Sequence, residues 1–429
     1  MLSHMFHRVK GSYDIVPESE ETWKESSLWQ HFEKTARFLS SLYGFKEIRT
    51  PIFEHTEVFT RSAGEESDVV SKEMYTFFDK AERSLSLRPE LTAPIVRAFI
   101  ENNLHQKECD RFFYIGPCFR YDRMQKGRYR QFHQFGVELF SPKDPYLDAE
   151  AIYFLLDLYK NLGLKNTSLK INSIGDKEIR QAFAKALQDY FKPFFQNLSP
   201  DSQRRFQTNP LRILDSKEEC DKEITKNAPQ ISEFLTPNKR TFFEDVLRIL
   251  DSLNVSYKID RSLVRGLDYY CDTVFEVVST NDLGAQNALG GGGRYDGLMK
   301  EMGGIDLPGF GFATGIERIL LSMCSEEEFK QPAEGPLYYF IPLSPPSKDL
   351  CFTLMTKLRG EQKSASCFSK NYTLKKGLAE ASKLNAKYAI LVGDEELNSK
   401  TVTVKCLSSR EEKKIPLSKL ETIPEIFYA

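Results

Sequence analysis

The chain has 429 residues, of which 41% are hydrophobic and 28% charged, with a formal net charge of −2. That length exceeds one ordinary core, so two or three domains are expected, and the composition is that of a soluble globular protein. The small net charge hides an asymmetry: residues 336–429 carry 15 Lys and Arg against 10 Asp and Glu, a balance of +5. The remainder is then about −7 (−2 minus +5), and a modestly basic C-terminal part suits contact with nucleic acid.

The N-terminus, MLSHMFHRVKGSYDIVP, lacks the apolar core of a signal peptide. No run of about 18 apolar residues occurs, so no membrane span is expected. The eight cysteines include no CxxC pair and, scattered through a long chain, point to a reducing cytoplasm. His4 with His7 and His105 with Glu108 have ligand-like spacing but no third ligand nearby, so no metal site follows from the motifs.

Apolar positions at Trp23, Leu28, Trp29, Phe32, Ala36 and Leu39 predict an amphipathic helix over 23–42. GFKEIRTPIFE reads as a strand with Pro51 near its middle or edge. SKEMYTFFD and SLSLRPE read as strands, and TAPIVRAFIENN as a helix starting near Thr92, with Glu90 or Thr92 as its cap. A hairpin, RFFYIGPCFR to RQFHQFGVELF, turns at Gly127, and DAEAIYFLLDLYKNLG is a further helix. Near residue 175 the character changes. Ile179, Phe183, Leu187, Phe191 and Phe194 form one stripe, and polar, charged segments continue to about 260, which reads as a mostly helical insertion. Strand character returns with TVFEVVS, followed by ALGGGGRYDG and GFGFATGIERILL. QPAEGP at 331–336 is a linker by composition. Beyond it come a strand (YYFIPLS), a helix, a short strand, a helix (LKKGLAEASKL), two strands (YAILVG, TVTVKC) and a helix, which predict an α/β module. The expected organisation is α+β, with domains at 1–174 plus 261–330, 175–260, and 336–429.

Phe119 to Phe140 carries the strongest chemical signal. Arg120, Arg123, Lys126, Arg128, Arg130 and His133 place six potential cations within fourteen residues between apolar flanks. A basic loop on a hairpin is either a solvated charged turn or a grip for phosphate, since Arg offers a planar, permanently charged fork. Gln134 and Glu138 lie four apart on the second strand, hence on one face. A carboxylate and an amide beside cations suit a ligand with both an ammonium group and phosphates. Gly290 to Gly293 are four consecutive glycines, read as a close-approach backbone for a ligand or a surface turn, and not as a core element. Their spacing is neither a dinucleotide fingerprint nor a P-loop. Arg318 falls in the first turn of a helix, against the dipole, so it is either exposed or drawn inward by an anion. Arg265 and Asp268, in LVRGLDYYCDTVFEV, are either a structural pair or part of a site.

Taken in order, these segments resemble the bacterial-type histidyl-tRNA synthetases, class II aminoacyl-tRNA synthetases, over nearly the whole chain. GFKEIRTPIFE looks like motif 1, FRYDRMQKGRYRQFHQFGVELF like motif 2 and GFATGIERIL like motif 3. LVRGLDYY and GGGGRYDG match the two segments peculiar to the histidine enzyme. The resemblance implies an antiparallel class II sheet with flanking helices, a helical insertion and a C-terminal anticodon-binding domain. It implies ATP, Mg²⁺, L-histidine and tRNA(His) as cofactors and partners, and a homodimer built on motif 1.

Residue by residue, the resemblance gives Arg120 to the α-phosphate of ATP, Arg128 and Arg318 to the γ-phosphate and Phe132 to a stack on adenine. Arg265 matches the family's additional arginine at the reacting phosphate. Glu90, Thr92 and Gln134 match the residues that hold the histidine ammonium. Glu138 and Tyr270 match those that read the imidazole, with Tyr269 and Tyr295 close by. Arg123 and Gln125 should face the tRNA acceptor end. Leu91 stands where many members have Gly, Met124 where Pro is frequent and Asp122 where many have Glu. A leucine beside Glu90 has the bulk to reshape the pocket. Two other readings compete with this one: a histidine-sensing regulatory paralogue of a histidine-biosynthetic phosphoribosyltransferase, which usually lacks the anticodon domain, and a pure RNA-binding protein, which would not need Glu138 or the glycine-rich segment.

Overall fold

The apolar stripe of residues 23–42 folds as helix α1 (Ser26–Leu42), preceded by a 3₁₀ turn that buries Trp23. The computed structural model describes residues 6–64, 69–107, 109–123, 125–214, 216, 218–263, 267, 269–281, 287–330, 335–368 and 373–428. The chain forms two compact units, Met1–Lys330 and Gln331–Ala429.

In the first unit the strand predicted over GFKEIRTPIFE divides in two, β1 (Lys46–Glu47) and β2 (Phe53–His55). Pro51 lies between them; without an N–H it cannot continue a ladder. The halves serve different sheets. Helix α2 (Thr56–Ala63) follows, then β3 (Tyr75–Phe78), β4 (Ser84–Leu87), α3 (Thr92–Glu101), β5 (Arg111–Phe119), β6 (Gln131–Phe140), α4 (Pro145–Asn161) and β7 (Thr167–Ser173). Four helices come next: α5 (Lys177–Phe191), α6 (Pro200–Thr208), α7 (Glu219–Thr225) and α8 (Pro237–Ser252). Pro193 starts a 3₁₀ turn after α5, so Phe194 leaves the predicted stripe and is exposed. The unit closes with β8 (Tyr257–Ile259), β9 (Cys271–Ser279), β10 (Ala288–Arg294), α9 (Leu298–Glu301), β11 (Gly309–Gly315) and α10 (Ile316–Cys324).

Eight strands form one sheet in the order β1-β5-β6-β11-β10-β9-β7-β8. Pairing is antiparallel except at the two margins, β1 with β5 and β7 with β8. One face is covered by α1, α4 and α10, through Phe32, Phe154, Ile316 and Leu320 packed on Phe135, Phe275 and Phe312. On the other face α3 and α5 contribute Ile95, Phe99, Phe183 and Leu187 to a core that includes Tyr269, Tyr270 and Tyr295. That second core leaves part of the sheet open, and the candidate site lies there. Strands β2, β4 and β3 make a separate small sheet.

The second unit is a five-stranded sheet. Its elements are β12 (Tyr338–Pro342), α11 (Pro345–Gly360), β13 (Ala365–Cys367), α12 (Leu374–Lys383), β14 (Tyr388–Val392), α13 (Asp394–Ser399), β15 (Thr401–Cys406), β16 (Glu412–Pro416) and α14 (Ile423–Tyr428). The strand order is β13-β12-β14-β15-β16, parallel at the first two pairings and antiparallel at the others. Both faces of its central strands are buried, Tyr338, Phe340 and Ile390 on one side and Tyr339, Ile341 and Leu391 on the other. Sequence reading missed α13 and β16. The latter is a lysine-bearing edge strand with Ile415 as its one buried residue, and such a strand lacks the apolar alternation that betrays central ones. Most of the linker, 331–334, lies outside the described residues.

No helix among the described residues is long and apolar enough to cross a membrane.

Candidate active site

Strand β6 presents Phe132, Gln134, Gly136 and Glu138 on one face, because side chains alternate along a strand. The other face carries Phe135, Val137 and Leu139 into the core. Gly136 is small by necessity: a Cβ there would overlap the Tyr114 hydroxyl and the Phe312 carbonyl. Phe132 and Gln134 line a cavity of about 660 Å³ with Glu90, Thr92, Arg120, Arg128, Tyr269, Tyr270 and Arg318.

At one end of the cavity is a buried polar cluster. Glu138, 1% exposed, accepts from Thr92 Oγ1 at 2.7 Å and from the Tyr295 hydroxyl. Burial pushes its carboxyl up to about 8, against the hydrogen bonds from Tyr295 and Thr92. Glu138 and Tyr295 lie beneath the cavity wall formed by Thr92, Tyr269 and Tyr270, with the Tyr269 ring edge-on to Tyr295 at 5.7 Å. Glu90 accepts the N–H groups of Thr92 at 2.6 Å and Ala93 at 2.9 Å, so it caps α3 as one of the sequence alternatives held. Glu90 lines the cavity with Thr92. Burial raises the Glu90 carboxyl as well, opposed by those two N–H groups. Leu91 is 3% exposed and belongs to the same buried cluster as Ile95, Phe99, Tyr269 and Tyr270.

At the other end the cavity is cationic. Arg120 is aimed by a bond from Nε to the Pro89 carbonyl at 2.8 Å, with its guanidinium 5.3 Å from the centre of the Phe132 ring. Arg128 pairs with Asp122 at 2.8 Å, beside the turn where Gly127 has φ +75° and Arg128 N–H reaches the Gln125 carbonyl at 2.8 Å. Arg318 is half-buried rather than exposed, donating to Gly127 O at 3.1 Å and Ala288 O at 2.9 Å. Burial, then the charges of Arg128 and Arg120, hold its pKa below the ordinary value. Three converging arginines repel one another, and an anionic ligand relieves that. Arg123 and Gln125 are exposed on the loop outside the cavity wall. Arg265, Asp268 and Met124 lie outside the described residues, as do His4 and Glu108.

The floor between the two ends corrects the reading of the four glycines. They are neither a surface turn nor excluded from the core: they form the interior of β10, paired on both sides, with Gly291 to Gly293 buried and Gly290 partly so. Gly290 and Gly291 reach the cavity, while a Cβ on Gly292 would overlap the Gly311 carbonyl. A Cβ on Gly311 would in turn overlap Glu138 Oε2.

Several cavity residues escaped sequence reading. Glu276 on β9, Lys170 on β7 and Arg212 from the turn after α6 also line it. Glu276 had a usable signal, one charge in the apolar run TVFEVVS. Among the described residues one Cys/Asp group, Cys271, Asp272 and Asp296, has metal-ligand proximity. Lys143 and Lys239 already donate to Asp272, so its charge is met there without a metal.

An antiparallel sheet whose strands carry a glycine floor, an arginine-rich hairpin and a helix-borne arginine defines a class II aminoacyl-tRNA synthetase. The family model described as Histidyl-tRNA synthetase matches residues 20–319, and the one described as Anticodon binding domain matches 338–423. The histidine–tRNA ligase of Protochlamydia amoebophila is 49% identical over 412 residues, covering 96% of this chain and 97% of that one. That of Natranaerobius thermophilus is 46% identical, with 96% and 97% covered. The solved structure of apo histidyl-tRNA synthetase from S. aureus superposes with a TM-score of 0.77 at 34% identity, covering 97% and 98%. The chain belongs to the histidyl-tRNA synthetase family, and its enzymatic activity is that of a histidine–tRNA ligase.

Proposed function

We propose that the cavity binds L-histidine at its Glu138 end and ATP at its arginine end, forms histidyl-adenylate and pyrophosphate, and passes histidine to tRNA(His). The observation that carries this assignment is one cavity lined by Glu90 and by Thr92, which is bonded to buried Glu138, together with Arg120, Arg128 and Arg318 and the glycines of β10. Glu90, Thr92 and Gln134 hold the ammonium group, and Glu138 and Tyr270 read the imidazole, with Tyr269 and Tyr295 supporting them. Adenine stacks on Phe132, Arg128 and Arg318 take the γ-phosphate, and Arg120 with Arg265 takes the reacting α-phosphate. The histidine carboxylate attacks the α-phosphorus and needs no general base; the arginines meet the charge that develops on the phosphoryl oxygens. Mg²⁺ fits as a hard cation that ATP oxygens would hold beside Glu276, a carboxylate lining the same cavity, and when bound it would neutralise phosphate charge.

Residues 1–174 with 261–330 are the catalytic domain in this reading, 175–260 the insertion and 336–429 the anticodon-binding domain. Arg123 and Gln125 face the tRNA acceptor end. A homodimer is supported by Ile52, Phe53, Phe77 and Phe78, apolar and 41–70% exposed on or beside the small sheet that carries part of motif 1. Eight free thiols suit a reducing cytoplasm. Exchange of pyrophosphate into ATP, assayed with each standard amino acid, should require histidine; exchange with several amino acids alike, or none with histidine, would remove the assignment.

Glu138→Gln should weaken histidine binding roughly 10- to 100-fold and leave ATP binding within about twofold, since a bond to a charged group is worth ~1.5–3 kcal/mol. The pH dependence follows from the raised carboxyl. A group whose folded pKa exceeds its unfolded value stabilises the fold at low pH, and that stabilisation is lost as pH rises toward about 8. The same ionisation makes Glu138 a charged and stronger acceptor for a ring N–H, so histidine affinity should climb toward pH 8 in the wild type and lose that step in Glu138→Gln. Calorimetric titration at several pH values reads both. Equal weakening of ATP and histidine would mean that Glu138 only holds the fold.

A further inference from the structure

The N-terminal segment RVKGSYDIVP, ahead of the span matched by the synthetase family model, grips the base of the cationic hairpin. The Tyr13 hydroxyl donates to Glu317 Oε1 and lies 3.2 Å from His133 Nδ1. The same Glu317 oxygen accepts from the His133 backbone N–H at 2.7 Å and faces His133 Nδ1 at 3.0 Å. Glu317 is 2% exposed, so its buried oxygen needs these donors. Two residues earlier, the Gly11 carbonyl accepts Arg130 N–H at 2.8 Å. Gly11 has φ +94° and would bring a Cβ to 2.7 Å from Arg130 Cδ, so strap and hairpin are in direct contact. Tyr13 also packs edge-on against Tyr129 at 5.0 Å and Trp23 at 4.9 Å.

The two elements joined at Glu317 are the two that carry the cavity's cations and stack. His133 stands between Phe132 and Gln134 on β6, with its side chain on the opposite face. Glu317 immediately precedes Arg318 on α10. Arg120 N–H bonds the Arg130 carbonyl at 3.0 Å, so the hairpin's other strand is tied to the same strap contact.

We propose that Tyr13 is a positioning residue for adenylate formation: through Glu317 and His133 it fixes β6 against the start of α10, and so fixes Phe132, Gln134 and Arg318 relative to one another. The role rests on the adenylation reading given above. It predicts a loss in rate rather than in binding, because a small misplacement of preorganised groups is felt most in the transition state.

The test is Tyr13→Phe in the full-length chain, with histidine-dependent ATP–pyrophosphate exchange of the wild type measured alongside. The exchange kcat should fall about tenfold while KM for ATP and for histidine stays within about twofold. In the cycle with Glu317→Gln, the double variant should be no slower than Glu317→Gln alone, because both changes break one unit. A wild-type kcat in Tyr13→Phe, a rise in KM at unchanged kcat, or losses that multiply in the double variant would each overturn the role. If Tyr13→Phe loses its cooperative thermal transition, His133→Leu is measured in its place; the same kcat-only loss supports the role and an unchanged kcat overturns it. Absence of exchange in the wild type would instead overturn the adenylation reading itself.

Discussion

Arg120→Ala should slow histidyl-adenylate formation by about 10²–10³-fold, the scale of losing one preorganised charge donor. The guanidinium is aimed in advance: Nε is fixed on the Pro89 carbonyl and the group lies near the Phe132 ring. No reorganisation is then needed when negative charge builds on the phosphoryl oxygens. Arg120→Lys should recover little, since an ammonium can neither hold the Pro89 bond in the same plane nor present a fork to phosphate. Arg265→His carries a similar expectation, roughly 10²-fold, on the family's match for that position. Single-turnover quench kinetics at saturating ATP and histidine separate rate from binding. A normal single-turnover rate with only weakened ATP affinity would place these arginines in ground-state binding.

Ending the chain before Gln331 should leave adenylate chemistry largely intact and reduce tRNA charging by roughly 10²-fold or more, as phosphate contacts are lost. Every proposed ATP and histidine ligand precedes that point. The first unit has both its cores within Met1–Lys330, and the second has its own sheet and core. The salt dependence of tRNA binding should flatten in the shortened chain, because fewer counterions are released. Its mass in solution must be measured with both activities, since loosening of the proposed dimer would disturb chemistry indirectly. A shortened chain that stays dimeric and charges tRNA as well as the full one would remove the anticodon-domain role.

Much of this architecture was legible because local signals agreed with it. The stripe from Leu28 to Leu39, the hairpin flanking Gly127 and the apolar runs of β12 and β14 are each read correctly from periodicity and turn chemistry. What failed was tertiary. Pro51 split one predicted strand between two sheets. The glycines of β10 read as a close-approach backbone or a surface turn and not as core because nothing local records that neighbouring strands approach too closely for a side chain. In the site, the shared face of Gln134 and Glu138 followed from a period of two. The carboxylate's partners Thr92 and Tyr295, and the link from Tyr13 to Glu317, join residues far apart in the chain and leave no pattern in it.

The glycine strand also poses a folding problem. Four consecutive glycines carry no side chain to tell one register from the next, so between buried Leu289 and Arg294 the strand has no mark of its alignment on β9 and β11. The chain answers at its end. Arg294, 1% exposed, closes the strand with an ion pair to buried Asp148 on α4 and a second to Asp296 at 3.0 Å. Shifting β10 by one residue would strand a charge in the core, at a cost of several kcal/mol. The pair therefore works as a detent: it makes slipped alignments expensive and leaves the glycines free to be featureless where the substrates lie. Errors at Arg294 or Asp148 should accordingly surface as misaligned, aggregation-prone chains during synthesis rather than as a defect of chemistry in those that fold.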